Sequence, residues 1–327
     1  MRQVRRILIA VKDPTAGTSA AAVKGAQLAI ALGAEVELFH ALSDPLIVRE
    51  DDSGARRPLA LQASAVATAR ARLERAAGRI RRHGVEVHVH AAWDFPAHEA
   101  IVRRALGMRA DLVVADAHGG PHRAPWLLTY ADWELLRLAP CPVLLAKSAR
   151  PWRRPAILAA VDPSHAHAKP ARLDTQILEV AQLLRAALRG RLELLHAYEP
   201  PLFVGAGFEE AGVREGAALA SGAGGEARRR LDALVATHRL GAVRRHVLQS
   251  SPARAIVAVA TQSRAAIVLM GVVSRSALRR FFVGATAAAV IDELRADVLV
   301  VKPGGFVPDI GRRPRGASVI TLRAPVS

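Results

Sequence analysis

Short aliphatic runs of strand length recur along the chain, and stretches with apolar positions three and four apart separate them. In the first half the runs predict strands near 6–12, 35–41, 85–91, 111–116 and 142–147. The intervening pattern predicts helices over 18–32, within 59–83, over 97–107 and over 129–138, the first opening behind Thr18-Ser19 as a helix cap. The second half repeats the strand pattern near 156–161, 191–197, 243–248, 266–270 and 297–301. Strands that are apolar throughout and alternate with helices predict parallel sheets covered on both faces. Two segments read as loops: 43–58, with Ser43-Asp44-Pro45 and the acidic Glu50-Asp51-Asp52, and the glycine-rich 199–225. From Pro303 onward, with Gly311-Arg-Arg-Pro-Arg-Gly316, the chain reads as poorly ordered.

The two halves are copies of one unit. RRILIAVKDP (5–14) returns as RRPAILAAVDP (153–163), AEVELFHAL (34–42) as GRLELLHAY (190–198), and CPVLLAK (141–147) as ADVLVVK (296–302). From the fourth strand onward the offset is constant at 155, as in Asp111 against Ala266 and Lys147 against Lys302. The expected division is a first domain over 1–148, a second over 153–303 and a disordered basic tail over 304–327, with the seam near Ala149-Arg-Pro-Trp152. Each domain is expected to be Rossmann-like, a five-stranded parallel sheet with helices on both faces. Because both copies end in matched aliphatic strands, VLLAK and VLVVK, they are expected to pack as a pseudo-dimer about a pseudo-twofold axis.

Composition narrows the class. The 327 residues are 51% apolar and 4% aromatic, and no apolar run approaches the length of a membrane span. Met1-Arg2-Gln3 leads straight into the first strand, so neither a signal peptide nor a transmembrane helix is expected. Cys141 is the only cysteine, which excludes an intramolecular disulfide and fits a reducing, cytoplasmic setting. The net charge of +17 has two readings, a solvated basic surface or a polyanion partner. Arginines scattered among alanines, as in Arg70, Arg72, Arg75, Arg79, Arg81 and Arg82, with no interleaved aromatics, favour the first.

Ligands of open parallel sheets bind beyond the carboxyl ends of the strands. In the second half those ends carry Asp162, Ala197, Met270-Gly271-Val-Val-Ser274 and Gly284-Ala285-Thr286, with Arg275, Arg279 and Arg280 between the last two groups. Glycine lets backbone approach a phosphate, and free N–H groups at a helix start complete an anion site.

In this pattern the chain resembles the universal stress protein family, and its tandem two-domain E-type members in particular. The resemblance covers about residues 4–303. Nucleotide-binding members carry G-x2-G-x9-G followed by Ser or Thr, and the matching stretch here is Gly271-x2-Ser274-x9-Gly284 with Ala285-Thr286 behind it. LLTYADWELLRLAPCPVLLAK (127–147) looks like the degenerate first domain of E-type proteins. The resemblance implies ATP or AMP in the second domain, with Mg²⁺ accompanying ATP. Ala160, Val161 and Asp162 would flank adenine and ribose, and Ala197 would offer backbone to adenine. Met270, Gly271, Val273 and Ser274 would lie along ribose and phosphate, and Gly284, Ala285 and Thr286 would hold the terminal phosphates. Ser274 departs from the second glycine, and the Thr286 hydroxyl stands one residue late.

The constant offset sets Asp116 opposite Gly271, Thr129 opposite Gly284, Ala131 opposite Thr286 and Gly119 opposite Ser274. An acidic side chain where phosphate should approach predicts that the first-domain site is lost. The function expected is a cytoplasmic, non-catalytic stress-response module that binds adenine nucleotide. The rivals are a slow Mg²⁺-dependent ATPase using Asp162, an interaction module without nucleotide, and an arginine-rich polyanion binder. A family resemblance does not by itself identify an activity.

Other residues carry blander expectations. His88 and His90 share a strand face, and His118 and His122 have metal-like spacing, but no carboxylate or cysteine completes either set in the sequence, so no metal site is expected. His40 and His196 are equivalent and read as packing features; Trp126 and Trp133 read as core or interface. Asp13 reads as a turn residue, while Asp162 reads equally as a turn residue or as a contact to ribose or Mg²⁺. No Ser-His-Asp motif or G-x4-G-K-[ST] loop occurs.

Overall fold

Strand β1 (Arg6–Ala10) pairs in parallel with β2 (Glu35–Leu42) on one side and with β5 (Leu112–Asp116) on the other, and this pairing organises the first unit in the computed structural model. The structure describes residues 3–16, 19–43, 46–49, 56–117, 131–164, 172–199, 210–271, 290–303, 305–316 and 319–322. The chain forms two units, one of residues 1–151 with 306–327, the other of residues 152–305.

In the first unit, β4 (Val87–Trp93) joins β2 and β6 (Val143–Ala146) joins β5, which gives the parallel order β4-β2-β1-β5-β6. Helices α1 (Ala20–Leu32), α2 (Arg56–Arg81), α3 (Ala97–Met108) and α4 (Ala131–Leu138) connect the strands. Ser19 caps α1 by accepting from Ala22 N at 2.9 Å, and Gly33 closes it in the left-handed region at φ 64. Ile7, Leu8 and Ile9 of β1 are fully buried, as a central strand covered on both faces requires.

The second unit repeats the arrangement. Its strands are β7 (Ala156–Ala160), β8 (Arg191–Tyr198), β9 (Arg244–Gln249), β10 (Ile267–Gly271) and β11 (Asp297–Val301), in the parallel order β9-β8-β7-β10-β11. Its helices are α5 (Leu173–Leu188), α6 (Glu210–Thr237) and α7 (Pro252–Gln262). Among the described residues no helix is long and apolar enough to cross a membrane.

Three segments differ from the sequence reading. Glycine-rich 199–225 contains the start of α6, a helix of 28 residues. One reason for a glycine there is visible: a Cβ at Gly224 would meet the Tyr198 hydroxyl at 2.7 Å. The 43–58 segment contains a four-residue strand, β3 (Leu46–Arg49), and the first turn of α2. The tail is also structured in part, because β12 (Val319–Leu322) pairs in parallel with β3. Further back, Arg315 N donates to Asp94 Oδ1 at 2.8 Å. Partners this remote in the chain leave no local pattern.

Candidate functional site

In the second unit the strand order reverses direction between β7 and β10, the point at which a parallel sheet opens a crevice beyond its carboxyl edge. Ala160 pairs with Leu195 and Ala159 with Leu269, so Asp162, Ala197 and Gly271 leave the sheet along one edge. Of the expected contacts, Val161 and Met270 are buried, while Ala160, Asp162, Ala197 and Gly271 are partly exposed.

Asp162 is held from several sides. Its N–H donates to Asp174 Oδ1 at 3.1 Å, from a residue in the first turn of α5 that is 4% exposed. Ser164 Oγ donates to Asp162 Oδ1 at 2.8 Å and lies 3.5 Å from His196 Nε2. His196 is fully buried, with Nδ1 3.3 Å from Val161 O. A proton on Nδ1 satisfies that carbonyl, and the single Ser164 hydroxyl proton is then shared between Asp162 Oδ1, the nearer acceptor, and Nε2. The other carboxylate oxygen, Asp162 Oδ2, is shielded from solvent and has no hydrogen-bond partner among the described residues. A buried carboxylate oxygen without a donor carries a desolvation cost, so this atom calls for a donor beyond those that the described residues supply.

Gly271 has a structural cause of its own. A Cβ there would stand 2.6 Å from Leu173 Cδ2 and 3.2 Å from Ile177 Cδ1, so the close approach of α5 by itself requires glycine. The sequence-based reason, phosphate approach, is therefore not needed to explain the residue. Val273, Ser274, Gly284, Ala285 and Thr286, with Arg275, Arg279 and Arg280, lie outside the described residues.

The equivalent edge of the first unit is arranged differently: its acidic side chains are engaged by its own backbone and hydroxyl groups, beside a cavity of about 570 Å³ lined by Val11, Asp13, Thr15 and Ser19 and by residues of α1 and α2. Asp116 Oδ1 accepts from Ala21 N at 2.8 Å, placing a carboxylate against the start of α1. Burial pushes the Asp116 carboxyl up, against hydrogen bonds from Ala21, Ser19 and Ala20 that pull it down. Asp13 Oδ1 accepts from Thr15 N at 2.7 Å and from Thr15 Oγ1 at 2.6 Å, an Asx turn that holds its carboxyl below the usual range. His40 Nδ1 lies 2.8 Å from Val11 O, the counterpart of His196 with Val161. Gly119, Thr129, His118, His122 and Trp126 lie outside the described residues; Ala131 opens α4 and Trp133 is partly exposed on it.

His90 stacks on Phe39 with ring centroids 5.7 Å apart, and burial lowers its pKa. His88 does gain carboxylates that the sequence did not reveal. Its ring and the side chains of Glu35 and Glu86 offer ligand atoms within 4.8 Å of one another. That trio is exposed or half-exposed, and Glu35 also faces Arg6 Nε at 3.3 Å. Sequence reasoning missed Ser164 and Asp174 at the second-unit edge. The Asp162-x-Ser164 spacing of a side-chain turn was the available signal for the first, whereas nothing local marks Asp174.

Comparison with known proteins bears on the family and the fold. The model of the "Universal stress protein family" matches residues 3–147 and again residues 155–302. Universal stress protein E of Escherichia coli K12 is 29% identical over 238 residues, which span 68% of this chain and 70% of that protein. The protein of the same name from Photorhabdus laumondii is 25% identical over 234 residues, 68% of this chain and 71% of its own. Among solved structures, a putative universal stress protein from Pseudomonas aeruginosa UCBPP-PA14 superposes with a TM-score of 0.67 at 26% identity, covering 92% of this chain and 94% of that one. A protein of unknown function from Pseudomonas aeruginosa PAO1 gives 0.67 at 25% identity, covering 92% and 93%.

Proposed function

The chain belongs to the universal stress protein family, and on that premise we propose that its second domain binds an adenine nucleotide, ATP or AMP, as part of a stress-response module that does no chemistry on it. The observation that carries the reading is Asp162 Oδ2, a buried acceptor with no donor among the described residues, at the carboxyl edge where the strand order reverses. A ribose hydroxyl or the adenine amine supplies such a donor. Ala160, Val161 and Ala197 then line the base, Met270, Gly271, Val273 and Ser274 follow the ribose and first phosphate, and Gly284, Ala285 and Thr286 receive the remaining phosphates, with Mg²⁺ when ATP is bound. His196 is the basic side chain beside Asp162, and both of its nitrogens face protein atoms, Val161 O and Ser164 Oγ. A residue so engaged does not position a water for attack, which supports binding without hydrolysis. A cytoplasmic location goes with this reading, since the one cysteine, Cys141, is buried and forms no disulfide.

Native mass spectrometry of freshly purified protein, followed by calorimetric titration with ATP and AMP, tests the proposal. One retained or titrated adenine nucleotide per chain is the expected result. Protein that carries none and gives no binding heat with either overturns it.

A further inference from the structure

Each strand of the second unit begins at an exposed arginine. Arg191 and Arg244 are the first residues of β8 and β9; Arg154 precedes β7, Arg264 precedes β10 and Arg295 precedes β11, and all five are exposed. Because the strands are parallel, these residues gather along the amino edge of one sheet. The helices run back against the strands, so their carboxyl ends reach the same edge and add exposed Arg189 after α5 and Arg239 after α6. Five strands at about 4.8 Å spacing make a basic rim about 19 Å long, roughly half a turn of a nucleic-acid duplex.

Acidic groups along this rim are few among the described residues. Glu193 is buried against His246, at 2.8 Å, and also faces Arg191 Nε at 3.5 Å; Asp297 is buried against Trp152 Nε1, at 2.7 Å. Exposed carboxylates occur only at the β11 corner, where Asp292 and Glu293 precede Arg295.

The first unit keeps arginine before two of its strands, Arg109 where the second has Arg264 and Arg5-Arg6 where it has Arg153-Arg154, but it shows that the fold does not require four of the others. Its strand registers align Glu35 with Arg191 and His88 with Arg244. Its helix α1 closes on Gly33 at φ 64 where α5 closes on Arg189 at φ 51, and the turn after α2 uses Gly84 at φ 77 where that after α6 uses Arg239 at φ 48. Arginine at a left-handed position bears a strain that glycine escapes. A favourable charge at a helix carboxyl end accounts for Arg189 and Arg239 and in part for Arg191, whose guanidinium donates to the carbonyl of Ser263 at the close of α7 at 2.9 Å; Arg244 is a strand residue and gains nothing from it.

We propose that the amino edge of the second unit is a sequence-independent binding surface for the phosphate backbone of double-stranded nucleic acid. Guanidinium groups at strand spacing suit repeated phosphates. Among the described residues the rim carries no exposed aromatic for base stacking, Trp152 being 8% exposed, and this favours duplex over single strands.

Fluorescence anisotropy of the full chain with a labelled 20-base-pair duplex of arbitrary sequence tests the proposal. With about four phosphates neutralised, raising salt from 50 to 200 mM should weaken binding by about 10²-fold. The variant Arg189→Gly/Arg191→Glu/Arg239→Gly/Arg244→His gives the rim the first unit's residues. It should bind at least about tenfold more weakly at 50 mM salt, with a shallower salt dependence. A thermal melt checks that the variant is folded at the assay temperature, because the two glycines relieve strain while Arg191→Glu removes the hydrogen bond to Ser263 O and the ion pair with Glu193. Arg70→Gln/Arg75→Gln/Arg79→Gln/Arg228→Gln removes four exposed arginines elsewhere and should bind as the parent does. Equal binding by the parent and the rim variant overturns the proposal, as does equal loss in both variants. So does retention on phosphatidylserine vesicles without duplex binding, which would assign the surface to a membrane.

Discussion

Leu173 occupies the space that a side chain at residue 271 would need: its Cδ2 stands 2.6 Å from the place of a Cβ on Gly271. The start of α5 and the end of β10 are therefore locked together by the absence of one methyl group. Because Leu173 is fully buried and Ile177 closes the other side, neither can swing away. Gly271→Ala should destabilise the protein by about 1–3 kcal/mol, the cost of overpacking a filled core, read as a lower urea midpoint with unchanged slope. A variant as stable as the parent would show that α5 shifts without cost.

Asp116, the first-unit counterpart of Gly271, should show a pH-dependent effect of definite sign. Its carboxyl is raised above the ordinary 3.8 chiefly by burial. The native state therefore holds the proton more tightly than the unfolded chain, and stability is lost as pH rises from the unfolded value through the raised one. Asn at this position keeps an oxygen for Ala21 N and avoids the buried charge. Asp116→Asn should thus gain stability relative to the parent as pH goes from 3 to 7. Thermal melts across that range check this, and a gain that shrinks with pH would contradict it.

The contrast between those two residues shows how far the sequence could be read. Strands such as β1 and β7 were legible to within about two residues because a buried parallel strand is apolar at every position, and the duplicated copies supported each other. The start of α6 was not, since glycine costs a helix about 1 kcal/mol against alanine and local preference points the other way. Strand β3 was missed because its partner, β12, lies in the tail, and pairing at that separation has no local signature. At the site, the position of Asp162 after β7 was legible from the fold rule, but Asp174 and Ser164 became visible only when α5 was set against the strand end.

Asp94 links the first unit to its carboxyl-terminal segment. Its Oδ2 accepts from Arg103 Nε at 2.9 Å, its Oδ1 accepts from Arg315 N at 2.8 Å, and Glu99 accepts from both arginines at 3.0 and 2.8 Å. The Asp94 and Arg103 side chains are only 5% and 7% exposed, so removing the carboxylate leaves a buried cation with half its partners. Asp94→Ala should cost about 3–5 kcal/mol. It should also speed tryptic cleavage after Arg312 and after Arg315, which the contacts of Arg315 hold close to the domain. Unchanged digestion would mean that the segment is held by the pairing of β12 with β3 alone.

The two domains should differ in nucleotide binding by the state of one equivalent carboxylate. Asp13 has its Oδ1 taken by both donors of Thr15, at 2.7 and 2.6 Å, and the neighbouring Asp116 turns its charge toward the helix start where a phosphate would need an open N–H. Asp162 spends one oxygen on Ser164 and keeps the other buried without a partner among the described residues. Stoichiometry in a calorimetric titration with ATP should therefore be one per chain. Asp162→Ala should weaken binding by about tenfold to a hundredfold, the loss of one hydrogen bond to a charged acceptor. Asp13→Ala should leave affinity within about twofold of the parent while costing the turn some stability. Two equivalent sites, or equal losses from both substitutions, would place the nucleotide contact elsewhere than at the second domain's strand edge.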